Sequence, residues 1–346
     1  MIPIDLRSDT VTRPALAMRE AMFYAEVGDD GYGEDPTVNR LEQLAAELCG
    51  KEAGLFVSSG TQGNQIAVMV HAGRGQEVIC DYQAHMFNSE TGGISALSGA
   101  QPCPVMAPDG KLTPELIEPA IRERKMNAPQ TALITVENTH NAAGGVYYTP
   151  AELGAVHALA AEYGIPVHMD GARVANAAVA QGLPLAELAR HADSMQMCLS
   201  KGLCAPVGSV LVGSAEFIRQ ARRYRRLLGG GMRQAGILAA AGIVALETML
   251  PRLADDHRNA GQLAQAIATT RLRIDLERVQ TNIVLFDTAP LGVSAAEFIV
   301  RLREHGILAG NAYGRNKVRM VTHHDVSAGQ IEYTISVIQR LAGEAC

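Results

Sequence analysis

Several features that define particular protein classes are absent from this sequence. It contains no tryptophan, and aromatic residues make up only 4% of its 346 positions. No apolar run approaches the roughly 18 residues that a membrane-spanning helix needs, and the N-terminus has no apolar signal-peptide core. These absences argue against an integral membrane protein or a secreted protein, and we expect a cytoplasmic location.

Cysteine is present, but in no spacing typical of a metal site. None of the six cysteines belongs to a CxxC pair or to a tight cluster with histidine. We therefore predict reduced thiols and no zinc site. The six are Cys49, Cys80, Cys103, Cys198, Cys204 and Cys346.

An excess of positive charge is also absent. The formal net charge of −6 is mildly acidic, which argues against nucleic acid or an anionic membrane as the main partner. One strongly basic run, ARRYRRLLGGGMRQ (221–234), fits a solvated helix face better than a nucleic-acid site. Its three consecutive glycines predict a sharp turn that could direct Arg233 at a phosphate.

Strand and helix patterns alternate from Thr37 to about Thr248. Short apolar runs are separated by helical patterns such as PAELGAVHALAAEYG (150–164). This alternation predicts an α/β fold with a large, mostly parallel sheet sandwiched by helices. The clearest strand candidates are 77–81, 131–138, 164–170, 194–201 and 208–214.

The texture changes near residue 248, where a long helical pattern (roughly 250–269) leads into shorter strands and helices. We predict a large domain over 1–248 and a smaller α+β domain over 249–346. The large domain begins with an arm and loop at 1–36. The polar stretch VGDDGYGEDP (27–36) either caps a site, reaches another subunit or is a solvated surface loop.

An acid and a lysine follow two of the predicted strands. Asp170 ends the run GIPVHM, and Lys201 ends SMQMCLS about 30 residues later, the spacing of successive strands in an α/β sheet. Pyridoxal phosphate (PLP) requires such a pair, because an acid holds its pyridine nitrogen protonated and a lysine forms its Schiff base. A helix cap is an equally good interpretation of Asp170 alone.

Other polar residues lie at predicted strand ends. The turn SSGTQGNQIA (58–67) has small residues that would let backbone N–H groups and the Thr61 hydroxyl approach a phosphate, although a plain strand-to-helix turn explains it too. His85 follows a strand in a loop and could stack on a cofactor ring or be structural. His168 shares a strand face with Asp170, so it either orients that acid or is a core histidine.

The chain resembles the L-threonine aldolases, PLP enzymes of the aspartate-aminotransferase-like fold. The matching stretches run colinearly along nearly the whole chain. They include LRSDTVTRP (6–14), SGTQGN (59–64), ENTHN (137–141), HMDGAR (168–173), LGGGMRQAGILAAAG (228–242) and VRMVTHHDVS (318–327). The resemblance implies cleavage of β-hydroxy-α-amino acids such as L-threonine, L-allo-threonine and phenylserine to glycine and an aldehyde.

The resemblance also implies a role for each matching residue. Lys201 would form the Schiff base, and His85 would stack on the ring and serve as a candidate base. The remaining implied cofactor contacts are Asp170 on the pyridine nitrogen, Arg173 on the phenolate oxygen, and Ser59, Gly60 and Thr61 around the phosphate.

Substrate and assembly follow from the same resemblance. Ser8 and Arg319 would hold the carboxylate of a small amino-acid substrate. Arg233 would be a phosphate or site cation supplied across a subunit interface, in a homotetramer built from dimers. Two alternatives stay open: another PLP lyase or a transaminase of this fold, and a PLP-binding protein without catalytic activity.

The chain departs from the family pattern at four positions. Gly31 and Cys204 stand where valine and glycine are usual, and a side chain as close to Lys201 as Cys204 could crowd the cofactor. Asn127 is the nearest counterpart of a histidine common before ENTHN, and Ser89 replaces an aromatic residue. Both of the latter positions are expected on the substrate side.

Overall fold

A computed structural model describes residues 3–123, 125–312 and 314–344 of the chain. Two sheets organise these residues. The strands are β1 (Ile4–Leu6), β2 (Ala53–Val57), β3 (Gln76–Asp81), β4 (Gln101–Val105), β5 (Gln130–Glu137), β6 (Val167–Asp170), β7 (Ser194–Cys198), β8 (Ser209–Gly213), β9 (Arg273–Ile274), β10 (Ile283–Asp287), β11 (Ile307–Asn311) and β12 (Lys317–Val321).

Helices separate most of these strands and cover the sheets. They are α1 (Leu16–Phe23), α2 (Pro36–Cys49), α3 (Gly60–His71), α4 (His85–Asn88), α5 (Pro114–Ile117), α6 (Pro150–Glu162), α7 (Val174–Gln181), α8 (Leu185–Ala189), α9 (Ala215–Leu227), α10 (Gly236–Val244), α11 (Leu253–Ala268), α12 (Ala295–Glu304) and α13 (Ala328–Glu344).

The large sheet has seven strands in the order β2-β8-β7-β6-β5-β3-β4. Five of them, from β7 to β4, are parallel, and β8 runs antiparallel to both of its neighbours. This arrangement confirms the predicted α/β fold with a mostly parallel sheet. Because β5, β6 and β7 are parallel, their carboxyl ends meet at one edge, which is where ligands bind in such sheets.

Local sequence signals explain where the long helices begin and end. Asp35 caps α2 by accepting from the Thr37 and Val38 amides, and the helix ends at Gly50 in the left-handed region (φ 61°). Helix α6 begins with a reciprocal capping box between Thr149 and Glu152.

The small sheet has five strands in the order β1-β11-β12-β10-β9. Its first strand comes from the N-terminal arm, since β1 pairs in parallel with β11. Ile4 and Leu6 accordingly belong to the second hydrophobic core, whereas Leu253 at the start of α11 belongs to the first. The division at 248/249, with the arm counted in the large domain, remains a prediction. The sequence did not reveal the pairing of β1 with β11, because a three-residue strand has too short a pattern to identify a distant partner.

Strand β4 was not expected from the sequence. Its segment QPCPV contains Pro102 and Pro104, and proline lacks the N–H that a ladder needs. The strand lies at the edge of the large sheet, beside β3 only, and this is the position where proline is tolerated.

None of the described helices is by itself long and apolar enough to cross a membrane; only α10 with its continuation to Met249, joined to α11 at a 66° bend, has the length and composition as a pair. Five cysteines are unpaired thiols: Cys49, Cys80, Cys103, Cys198 and Cys204. Cys346 lies outside the described residues.

Candidate active site

Helix α3 lies close against β7 because its first turn contains two glycines. A Cβ atom on Gly60 would come within 2.8 Å of the Cys198 sulfur, and one on Gly63 within 3.1 Å of the Gln196 Cβ. Ser59 caps the helix by accepting from the Gln62 amide. The first N–H groups of the helix therefore point out of the sheet edge without intrahelical partners. This is the strand–turn–helix arrangement expected for 58–67.

Asp170 ends β6 and is buried at this edge. One carboxylate oxygen accepts from Gln196 Nε2 at 2.6 Å and from the Ala172 amide at 3.1 Å. The other accepts from Asn64 Nδ2 at 2.8 Å. Burial raises the pKa of Asp170, but the charges of His85 and Lys201, with these hydrogen bonds, outweigh it and hold the pKa below its ordinary value. The carboxylate is therefore ionised although buried.

Lys201 lies in the turn after β7, where its carbonyl accepts from the Thr12 hydroxyl at 2.9 Å. Its positive charge lowers the pKa of both Asp170 and Asp9, so the amine lies within electrostatic range of two buried carboxylates. The side chain is only partly buried, which leaves it reachable by a ligand. The structure thus brings together the two residues at the predicted strand ends.

His85 is the first residue of the one-turn helix α4 rather than part of a loop. Its amide donates to Glu137 Oε2 at 2.7 Å, and its Nδ1 lies 3.0 Å from Glu90 Oε1. A ring nitrogen of His85 and carboxylate oxygens of Glu90 and Asp170 all lie within 4.8 Å of one another. The hydrogen bond to Glu90 raises the pKa of His85, more than burial lowers it.

Arg173 is fully enclosed and forms a two-point ion pair with Asp9. Its Nε and Nη2 lie 2.7 and 2.6 Å from the two Asp9 oxygens. Burial raises the pKa of Asp9, but the charge and hydrogen bonds of Arg173 lower this pKa by a larger amount, so it lies below its ordinary value. Nη1 makes only a long contact of 3.4 Å with Asn141 Oδ1, so this corner of the guanidinium can still serve a ligand.

Arg319 on β12 approaches the same region from the small sheet. Its Nη2 donates to Asn141 Oδ1 at 2.8 Å and its Nη1 to the Arg7 carbonyl, next to Ser8, at 3.1 Å. Its Nε is buried without a partner. Burial, with the charge of Arg173, lowers the pKa of Arg319 to about 10. A cavity of about 290 Å³ opens beside Arg319, Asn141 and Leu285.

Arg233 lies apart from these residues within one chain. Its guanidinium is 63% exposed and contacts Asp29 in the 27–36 loop at 3.4 Å. A side chain at Gly31 would press against Asp29 and Arg233, at 2.9 and 3.2 Å. The glycine at this position therefore leaves room for the arginine.

The other departures from the family pattern have different settings. The Cys204 thiol donates to the Gly202 carbonyl at 3.5 Å, and the charges that act on it are those of Arg252, Asp325 and Asp256. Thr12, whose hydroxyl donates to the Lys201 carbonyl, also contacts the thiol, and the crowding of the cofactor by Cys204 stays a prediction. Its backbone is left-handed, with a φ of 64°.

Ser89 and Asn127 lie at opposite edges of the large sheet. Ser89 directly follows α4 and its amide donates to the His85 carbonyl at 2.8 Å. Asn127 lines an exposed depression before β5 begins, at the other end of that strand from Glu137. Within one chain Asn127 therefore does not join the Asp170 cluster, because a loop before a parallel strand lies at the amino edge of the sheet.

Sequence reasoning missed several buried polar residues that organise the site. Gln196 could have been found as a polar residue inside the apolar run SMQMCLS. Asp9 and Asn64 have partners that are distant in the chain, whereas Glu90 lies only five residues from His85. The missed residues are Asp9, Asn64, Glu90, Glu137 and Gln196, which are buried, and Asn141, which is half-buried.

Known proteins share both the sequence and the fold. Residues 5–290 match the beta-eliminating lyase family. The chain is 46% identical over 348 residues to low-specificity L-threonine aldolase 1 of Arabidopsis thaliana, covering 98% of this chain and 96% of the relative. It is 44% identical over 329 residues to the low specificity L-threonine aldolase of Escherichia coli, covering 95% and 96%.

Solved structures support the fold at lower identity. The threonine aldolase of Leishmania major superposes with a TM-score of 0.85 at 22% identity, covering 98% of this chain and 100% of that one. An alanine–glyoxylate aminotransferase from Nostoc gives 0.77 at 17% identity, covering 99% and 95%. These likenesses confirm the aspartate-aminotransferase-like fold. The sequence identities go further, and the chain belongs to the low-specificity L-threonine aldolases of the beta-eliminating lyase family.

Proposed function

We propose that this chain is a PLP-dependent aldolase that cleaves L-threonine, L-allo-threonine and related β-hydroxy-α-amino acids to glycine and an aldehyde. One observation carries the proposal. A buried, ionised carboxylate, Asp170, lies in the field of both Lys201 and His85 at the carboxyl edge of the large sheet. The relatives of this chain in Arabidopsis thaliana and Escherichia coli are named as low-specificity L-threonine aldolases.

The residues at this edge fit PLP. Asp170 offers an anion for a protonated pyridine nitrogen. Lys201, whose charge acts on Asp170, offers the amine that a Schiff base requires. The glycine at position 60 lets the start of α3 approach closely, and the N–H groups there suit a phosphate. When bound, PLP accepts the electron pair of the breaking Cα–Cβ bond.

Arg319 and Ser8 are proposed to hold the substrate carboxylate. The buried Nε of Arg319 has no partner, and a buried donor is costly to leave unpaired. A carboxylate in the adjoining cavity would satisfy it with a charge-assisted hydrogen bond. Fixing the carboxylate there would orient the Cα–Cβ bond for cleavage.

His85 is proposed to take the proton of the β-hydroxyl, directly or through a water. Donation from Nδ1 to Glu90 leaves Nε2 as the nitrogen that can accept a proton. The short helix α4 fixes the ring, because the His85 amide is itself held by Glu137. The imidazole is therefore oriented from two sides.

Product analysis separates the candidate reactions. Purified enzyme with PLP is given L-threonine, L-allo-threonine, phenylserine and serine. Retro-aldol cleavage yields glycine and an aldehyde, whereas β-elimination yields a 2-oxo acid and ammonia, and a transaminase needs an amino acceptor. Lys201→Ala is expected to lose both the activity and the visible absorption of lysine-bound cofactor. Full retention of either would overturn the assignment of Lys201, and a protein that takes up no PLP would overturn the function.

A homotetramer, built as a dimer of dimers, is proposed as the working assembly. Four large side chains, Leu16, Phe23, Tyr24 and Tyr32, are between 72% and 80% exposed in one chain. Exposed apolar groups of this size are typical of interfaces. Burying them against a second chain would also bring Arg233 and the 27–36 loop toward a neighbouring phosphate site.

Light scattering tests the assembly. Phe23→Asp is expected to yield smaller species with weaker PLP retention. Val300→Asp, at a 52% exposed position in the small domain, is the control and should leave the tetramer intact. A monomeric native enzyme would contradict the proposed tetramer.

We also propose a cytoplasmic location, since the described cysteines are free thiols.

A further inference from the structure

Asp170 is one end of a chain of hydrogen bonds that crosses the interior of the large domain. Asn64 Nδ2 lies 2.8 Å from Asp170 Oδ2, and Asn64 Oδ1 lies 3.1 Å from His168 Nε2. His168 Nδ1 lies 2.9 Å from the Ser194 hydroxyl, which lies 2.9 Å from His71 Nε2. The five side chains link the carboxyl edge of the sheet to its amino edge.

The periodicities of one helix and one strand produce this alignment. Asn64 and His71 are seven residues apart on α3 and share its face toward the sheet. His168 and Asp170 are two residues apart on β6 and share a face. Ser194 is paired with His168 across the β6–β7 ladder. His168, Asn64 and Ser194 are almost completely buried, so water cannot replace these bonds.

With both carboxylates ionised and both histidines neutral, one direction satisfies all of these side-chain hydrogen bonds. The Asn64 amide nitrogen donates to two carboxylates, Asp170 and Glu90 at 2.8 Å, so its carbonyl must accept from His168 Nε2–H. A neutral His168 then has an acceptor at Nδ1, which takes the Ser194 O–H. The Ser194 oxygen in turn accepts from His71 Nε2–H.

Both histidines are neutral at pH 7. Burial lowers the pKa of His168 to about 3 and that of His71 to about 4. Every donor in this series of hydrogen bonds therefore points toward Asp170, and neither histidine adds a full positive charge beside the carboxylate. A series of aligned donors polarises its members in the same sense.

We propose that Asn64 and His168 are positioning residues that fix the orientation of the Asp170 carboxylate and keep it ionised beneath the cofactor, with Ser194 and His71 setting the tautomer of His168. None of them touches a substrate or the reacting atoms. The inference rests on the proposed function only in that PLP is the group which Asp170 faces.

The wild-type holoenzyme provides the first test. ¹⁵N spectra of histidine-labelled protein, assigned by comparison with His168→Gln, are expected to show His168 as the neutral tautomer protonated at Nε2. A ring protonated at Nδ1 alone, or a charged ring, in the wild-type holoenzyme would overturn the proposal.

Matched variants provide the second test. His168→Leu keeps the volume and removes both bonds, whereas His168→Gln keeps a donor toward Asn64. The readouts are the PLP dissociation constant and the ¹⁵N shift of the pyridine nitrogen in labelled PLP. We expect about tenfold weaker binding and a less protonated nitrogen in His168→Leu and Asn64→Ala, with His168→Gln close to wild type. Ser194→Ala, a smaller change, should shift both readouts in the same direction.

The outcomes separate this inference from the proposed function. Unchanged PLP affinity and nitrogen signal in folded His168→Leu and Asn64→Ala would overturn it, even if the enzyme cleaves threonine. A wild-type protein that holds PLP with a protonated pyridine nitrogen but forms no aldolase products would overturn the proposed function. The inference about Asn64 and His168 would then stand. A role in packing alone would lower the melting temperature of both His168 variants and leave the nitrogen signal unmoved.

Discussion

Arg173 and Asp9 meet in a two-point ion pair although 164 positions separate them in the chain. Asp9 also accepts from Asn282 Nδ2 of the small domain at 3.2 Å. The N-terminal arm therefore joins the residue that follows β6 to the segment that precedes β10. One carboxylate thus contacts a residue beyond the end of β6 in the large sheet and a residue beside β10 in the small sheet.

Replacing Asp9 by Asn should destabilise the protein strongly, because it leaves the Arg173 charge buried without a counter-ion. We expect a loss of about 3 kcal/mol at pH 7 in urea unfolding. The pKa of Asp9 is lowered in the folded state, so its contribution is present above the unfolded pKa of about 3.9 and fades as pH falls below that. The gap between variant and wild type should therefore narrow in acid.

Glu187→Gln is the control for this experiment. Glu187 pairs with Arg190 at 3.2 Å on the surface, where the side chains are 44% and 62% exposed. Exposed pairs contribute within about 0.5 kcal/mol. Equal losses of unfolding free energy in the two variants would show that the buried pair contributes no more to stability than the exposed one.

Glu90→Gln should shift the pH–rate profile to lower pH. The hydrogen bond that His85 donates to Glu90 raises the pKa of His85 above its ordinary value of about 6.5. A base must be deprotonated, so wild-type kcat/KM should rise through a midpoint above 6.5. Removing the Glu90 charge lowers that midpoint, and activity should persist at more acid pH. An unchanged midpoint would exclude His85 as the titrating base.

Gly60→Ala should weaken PLP binding by about tenfold, because the added methyl group meets Cys198 and the Gln196 side chain that holds Asp170. Gly261→Ala is the matched control, since nothing lies within 4 Å of the new Cβ on α11. It should stabilise the protein by about 0.5–1 kcal/mol. Equilibrium titration with PLP and thermal unfolding measure the two effects. Equal PLP affinity in both variants would contradict the close packing of α3 on β7.

Cys204→Gly should be more stable than Cys204→Ala, although alanine retains more of the buried side chain. The backbone at position 204 is left-handed, a conformation that costs residues with a Cβ about 1–2 kcal/mol. Both variants lose the thiol, so they differ only in the backbone strain and in one buried methyl group, and these two effects oppose each other. Chemical unfolding should rank glycine above alanine by about 1 kcal/mol, and the reverse order would refute the strain.

The sequence alone predicted the site residues that directly follow a clear apolar strand pattern. Asp170 and Lys201 each end an apolar run, and parallel strands bring such ends together without further information. Asp9 and Asn64 were not predicted, because their importance depends on contacts with Arg173 and Asp170 across more than 100 positions. The prolines of β4 hid a strand, since only its edge position makes them compatible with pairing.

The pairing of β1 with β11 has a consequence for how the chain is made. Ile4 lies opposite Ile307, so β1 waits for a partner that is translated about 300 residues later. At about 5–20 residues per second, that delay lasts about 15 to 60 seconds. Throughout this interval the seven strands of the large sheet can pair, while Asp9 and the arm that carries it gain their small-sheet support only after β11 has been made.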